Sequence, residues 1–148
     1  HDYVGLEAGW KNGFDAFGEE WTISMNVITN QDGSRHRDWT AWDPPCFMGR
    51  KSTQCLMPYD SYNDNMYISG TYFCVKREFF LDNLLDEKLF WGDSEDVEWS
   101  LRVRNKVKFR MNVGSEVRYL KLKPLKDAPY CHDWVKNGKD FLESIDNK

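Results

Sequence analysis

The chain has 148 residues, 41% of them apolar, 16% aromatic and 30% charged, with a mean hydropathy of −0.72. That is one domain's worth of chain, spanning residues 1–148, and it can bury about two-thirds of the surface its unfolded form exposes. Its 20 Lys and Arg against 24 Asp and Glu leave a net charge of −4, which argues against a general nucleic-acid binder, and no apolar run approaches the ~20 residues of a membrane span.

Over residues 6–18 the apolar side chains Leu6, Trp10, Phe14 and Phe17 recur at helical spacing and Gly18 follows as a C-cap, which predicts a helix packed on the core. Residues 21–28 carry β-branched and aromatic side chains in rough alternation. Asn30-Gln31-Asp32-Gly33 is a turn, and residues 34–42 form the return arm, so the pair reads as a hairpin. Asp38, Trp39, Trp42 and Asp43 on that arm have two readings. Tryptophan faces with carboxylates beside them line a sugar-binding groove; equally, they staple the hairpin to a sheet. Residues 46–65 have turn-forming composition without periodicity and read as a long loop.

Residues 68–76 read as an apolar strand in which Gly70 marks a close approach of backbone to a ligand, and residues 77–89 as a helix or helical turn. The next stretch, Trp91-Gly92-Asp93-Ser94-Glu95-Asp96-Val97-Glu98-Trp99, sets four carboxylates in six positions between two tryptophans. Asp93 or Ser94 caps a helix that reaches about Asn105, with Val97 and Leu101 on its apolar face and Glu95 and Asp96 in its first turn. The helix dipole keeps such carboxylates ionised, and an ionised carboxylate beside aromatic walls can act as a general base toward a hydroxyl. Ordinary capping chemistry accounts for the same residues.

Residues 106–111 and 117–122 read as two strands, with Lys121, Lys123 and Lys126 either guarding a strand edge or facing an anionic group. Residues 137–148 carry a weak amphipathic pattern and read as a terminal helix. Cys46, Cys55, Cys74 and Cys131 have no C-x-x-C spacing, so no structural zinc site is expected. Reduced thiols and a cytoplasmic location are the expectation, with a Cys46–Cys55 disulfide as the alternative.

From Tyr67 to Arg104 the order of pieces is distinctive: a small residue and Gly, an aromatic-rich strand, Lys76-Arg77-Glu78, Phe79-Phe80, Asp86-Glu87, then Gly92-x-x-Glu95-Asp96-x-Glu98-x-x-x-Arg102. This resembles the second half of the catalytic domain of GT-A glycosyltransferases, most closely the inverting family-two enzymes, and the likeness continues more weakly over residues 1–43 and 113–134. The resemblance implies an α/β fold, a GT-A-like mixed sheet flanked by helices. The chain starts at His1 and enters the pattern where such a domain is half built, so the N-terminal nucleotide-binding half is expected to be missing.

The implied activity is transfer of a sugar from a nucleotide-sugar donor to a carbohydrate acceptor hydroxyl with inversion. Asp96 would be the general base and Glu95 its neighbour toward the acceptor, while Asp38, Trp39, Trp42, Asp43, Gly70, Trp91 and Arg102 would contact substrate. Asp2 resembles what remains of the family's acidic metal motif, and His132 matches the place of a late metal-binding His, which together imply a divalent cation, Mn²⁺ or Mg²⁺. A partner chain or self-association would cover the surface left by the missing half. Two other readings stand beside this one: a carbohydrate-binding module or inactive remnant, and a glycoside hydrolase pairing Asp96 with a distant acid such as Asp43.

Overall fold

The computed structural model describes residues 4–18, 20–41, 55–89 and 95–121. In chain order these hold β1 (Val4–Leu6), α1 (Phe14–Phe17), β2 (Ile23–Asn30), β3 (Thr40–Ala41), β4 (Cys55–Leu56), β5 (Met66–Tyr67), β6 (Cys74–Val75), α2 (Arg77–Leu81), α3 (Glu95–Val103) and β7 (Phe109–Tyr119). Mixed α and β content agrees with the expected class. One sheet is mixed, in the order β1-β7-β2-β6, with β2 and β7 parallel and the outer pairs antiparallel; the other is antiparallel, in the order β4-β3-β5.

β2 is buried at nearly every position, on both faces, as a strand with a parallel partner normally is. Ile23 and Met25 join Trp39, Ala41, Met57, Met66, Ile68, Trp99, Val103 and Phe109 in the main core, so the core sits where both sheets meet α3. Farther along the same strands, Ile28, Val117 and Tyr119 form a second cluster covered by Val4, Trp10 and Tyr72. Among the described residues no helix is long and apolar enough to cross a membrane.

Several local expectations change. Residues 6–18 do not form one helix: Leu6 ends β1 and is exposed, and only Phe14–Phe17 are helical before Gly18 turns the chain at φ +59°. Gly13 explains the override, because its amide donates to Ser115 Oγ at 2.8 Å and a Cβ there would stand 1.7 Å from Asn112 Oδ1. The bond to Ser115 takes the residue 13 amide out of a helical ladder, and no residue with a side chain could sit that close to β7.

The hairpin closes only at its tip. Asn30 N–H donates to Ser34 O, with Gly33 at φ +81°, and His36 N–H still reaches Ile28 O, but the Ile28 amide is taken by the Asp38 carboxylate at 3.2 Å. The arm then leaves β2 for the second sheet. Residues 68–76 likewise break at the turn after Ser69, placing β5 in one sheet and β6 in the other.

The two strands expected after residue 105 are a single strand, β7. Asn26 pairs with Asn112 but Val27 with Glu116, so Val113, Gly114 and Ser115 bulge out between them. β7 is interior to its sheet, so the reading of residues 117–122 as a lysine-guarded edge is corrected. Lys123 and Lys126, the terminal helix, Cys46 and Cys131 lie outside the described residues. Cys74 is a free, half-buried thiol 3.2 Å from the Tyr72 hydroxyl, and burial pushes its pKa up.

Candidate functional site

α3 is held by Trp99, whose fully buried indole is ringed by Phe73, Phe79 and Phe80 and donates its Nε1–H to Asn83 O. Val97 and Val103 share the buried face, while Leu101, expected there, is 45% exposed. With Trp99 seated, Asp96 and Ser100, one turn apart, face the chain that continues from β5. Ser100 Oγ accepts the Ile68 amide at 3.0 Å and donates to Asp96 O at 2.6 Å. Asp96 Oδ2 accepts the Gly70 amide at 2.8 Å, and Oδ1 the Val97 amide at 2.9 Å. Amides 68 and 70 point the same way from an extended chain, so two helix side chains stand where a neighbouring strand would supply carbonyls.

Gly70 makes that approach comfortable: a Cβ there would lie 3.1 Å from Asp96 Oδ2, so the carboxylate would have to give by a few tenths of an ångström. Asp96 is half-buried, and its carboxyl is pushed above the usual range, first by burial and further by the Glu95 charge, against the lowering effect of the Gly70 and Val97 amides. Each of its oxygens keeps a second lone pair for a proton or a hydroxyl donor. Tyr67, directly opposite Thr40 in the β3–β5 register, feels the charges of both Asp96 and Arg37, and its buried phenol is pushed well above its ordinary pKa, mainly by burial.

Asp38 and Trp39 hold structural positions. Asp38 is fully buried; Oδ1 accepts from Arg35 Nε and the Trp39 amide, both at 2.7 Å, and Oδ2 from the Ile28 amide and the Tyr59 hydroxyl at 2.6 Å. Trp39 is 3% exposed, with its Nε1–H given to Ser61 O. Both match the staple reading for these two residues: neither the Trp39 ring face nor an Asp38 oxygen is left toward a sugar. Arg102 is exposed, paired with Glu98 at 2.9 Å and donating to Leu84 O. Glu95 is half-buried beside Asp96, and Gly70 is exposed. Asp2, Trp42, Asp43, Trp91 and His132 lie outside the described residues, as do the expected caps Asp93 and Ser94.

Sequence reasoning passed over Ser100, Tyr67 and Arg37. For Ser100 a signal existed: a small hydroxyl four residues after Asp96 occupies the same helix face. Tyr67 and Arg37 gave none, because their proximity depends on β3 pairing with β5. Among the described residues no group of three His, Cys, Asp or Glu could hold a metal ion. A shallow open cleft of about 400 Å³ lies elsewhere, between Glu7, Asn12, the 113–115 bulge and Arg118. Its charges are spent locally, Arg118 on Glu7 at 3.2 Å and Glu116 on the Thr29 hydroxyl at 2.5 Å. Comparison with protein-family models, with curated proteins and with solved structures finds no match to this chain.

Proposed function

We propose that this chain is the acceptor-side part of a GT-A-like inverting glycosyltransferase, acting on a nucleotide-sugar donor and a carbohydrate acceptor, with Asp96 as general base. The observation that carries the reading is Asp96 itself. It is a half-buried carboxylate at the start of α3, fixed in orientation by the Gly70 amide, with a proton affinity raised by burial and by Glu95. A base needs both a fixed direction and a pKa moved toward the working pH. In the reaction, the acceptor hydroxyl gives its proton to an Asp96 oxygen as its own oxygen bonds to the anomeric carbon. The bond from that carbon to the diphosphate breaks, and the electron pair leaves with the phosphate.

Glu95 would contact the acceptor, since adjacent carboxylates on a helix cannot point at one atom. A divalent cation, with Asp2 and His132 as the residues to hold it, would supply positive charge for the departing diphosphate. The cytoplasmic location belongs to the same reading.

One observation favours a second reading. Asp96 Oδ2 already accepts the Gly70 amide, which is what a purely structural clamp of α3 onto the chain after β5 requires. Asp96→Asn separates the two, measured as release of nucleoside diphosphate and formation of the glycoside from a panel of nucleotide sugars in the whole catalytic domain. As a general base, Asp96 contributes ~10²-fold or more, so the variant should lose at least that with its fold intact. A loss below about tenfold leaves only the clamp.

A further inference from the structure

The cleft of about 400 Å³ between residues 7–12 and the bulge of β7 falls within the roughly 300–1,000 Å³ of small-molecule sites. Its walls are tied together by buried polar groups. Asn26 donates to Trp10 O at 2.7 Å, Ser115 Oγ accepts the Gly13 amide at 2.8 Å, and Asn112 Nδ2 stands 3.5 Å from Asn26 Oδ1. These bonds join the wall of residues 7–13 to both β2 and β7, and buried polar networks rigidify what they join.

Glycine leaves the room between the walls. A Cβ on Gly9 would meet Asn12 Nδ2 at 3.0 Å, and one on Gly114 would meet Gly13 Cα at 3.0 Å. Neither glycine has a positive φ, so what the cleft uses is the missing side chain and not an unusual backbone angle. The bulge lifts Val113, Gly114 and Ser115 out of the ladder with β2, and bulges commonly re-aim side chains beside a site. It leaves Val113 62% exposed, the most exposed of the large apolar side chains among the described residues.

The chemistry of the lining narrows the ligand. Arg118 Nε lies 3.2 Å from Glu7 Oε1, and Glu116 Oε1 accepts from the Thr29 hydroxyl. A charged ligand would compete with these contacts. What remains unspent is hydrogen-bonding capacity: the terminal nitrogens of Arg118, the second oxygens of Glu7 and Glu116, and the Asn12 side-chain amide have no partner among the described residues. Hydroxyl groups use all of these, since they donate to carboxylates and accept from guanidinium and amide N–H groups. Val27 and Val113 add apolar surface for ring C–H groups.

We propose that this cleft binds an uncharged, polyhydroxylated ring, a pyranose unit of a carbohydrate. It shares no residue with the Asp96 site, and the assignment does not depend on the glycosyl-transfer reading. The test is titration of the ¹⁵N-labelled full chain with methyl glucoside and methyl galactoside, with glucuronate and glucosamine as charged counterparts. At least one glycoside, at millimolar concentration, should shift the Asn12 side-chain amide, the Gly114 and Ser115 backbone amides and the Arg118 Nε–H. Asn12→Ala removes an exposed amide without a partner, so it should keep its melting temperature and bind about two- to tenfold more weakly, the worth of one neutral hydrogen bond. Neither charged sugar should bind tighter than the glycosides.

Glycosides that leave those resonances in place overturn the proposal, as does unchanged binding in Asn12→Ala. Binding of either charged sugar about tenfold tighter would make the cleft an ion site instead. Should Asn12→Ala fail to fold, the wild-type resonances decide alone. Sugar binding at the cleft by a protein whose Asp96→Asn variant keeps full transfer would remove the Asp96 base and leave this site standing. Transfer that depends on Asp96 in a chain whose cleft binds no sugar would do the reverse.

Discussion

Asp38 and Asp96 are both bonded to backbone amides, yet the two carboxylates are in opposite situations. Asp38 has four donors, one of them the Arg35 guanidinium at 2.7 Å, and its charge is compensated where it is buried. Asp96 has two amide donors and, among the described residues, no ion pair, with Glu95 adding a like charge. Its folded-state pKa is raised, so the native protein holds this proton to higher pH than the unfolded chain does. Stability contributed by Asp96 is therefore greatest in acid and is lost as pH rises from the unfolded carboxylate value through the raised one. Asp96→Asn, which does not titrate, should gain stability relative to wild type as pH climbs through that window, read as urea midpoints at a series of pH values. A relative stability that falls over the same range would mean that the Gly70 and Val97 amides outweigh burial and that Asp96 is a strongly acidic clamp.

At the scale of elements, α3 is the piece most legible in the sequence and β5 the least. The acidic first turn and the apolar positions gave α3 its place, but assigning Leu101 to the buried face missed that Trp99 sets the helix's rotation by filling the pocket of Phe73, Phe79 and Phe80. β5 was hidden inside a longer apolar run because nothing local marks where a strand passes from one sheet to another; the amides of Ile68 and Gly70 are satisfied by α3 instead. Gly70 was legible as a close approach, although what approaches is the Asp96 side chain. Ser100 carries a prediction here. It is fully buried, and Ser100→Ala strips the Ile68 amide of its acceptor in a site without water access, which should cost about 1–3 kcal/mol. Equilibrium urea denaturation measures it, and a change within about 0.5 kcal/mol, the scale of an ordinary surface substitution, would show that the Ser100–Ile68 bond contributes nothing to holding α3.

For the molecule as a whole, the parallel pairing of β2 with β7 brings together residues some 90 positions apart, such as Thr29 with Arg118. A parallel pair of that span leaves no local trace, which is why a hairpin was the natural reading of residues 21–42. The same topology leaves β1 at one margin of the mixed sheet, three residues long, with Leu6 56% exposed and Leu120, whose side chain lies near Gly5, 44% exposed. Among the described residues nothing covers the outer side of β1, and unpaired strand N–H and C=O groups next to apolar side chains are a template for association. If the chain is the acceptor-side part of a larger catalytic unit, it should bind nucleotide sugars poorly alone and self-associate through this margin. Sedimentation velocity over a range of concentrations should show the association, and Leu6→Lys, which places a charge on the edge, should suppress it without lowering the melting temperature. A monomer at all concentrations that binds a nucleotide sugar at micromolar levels would carry its own donor site, and the partial-domain reading would then be lost.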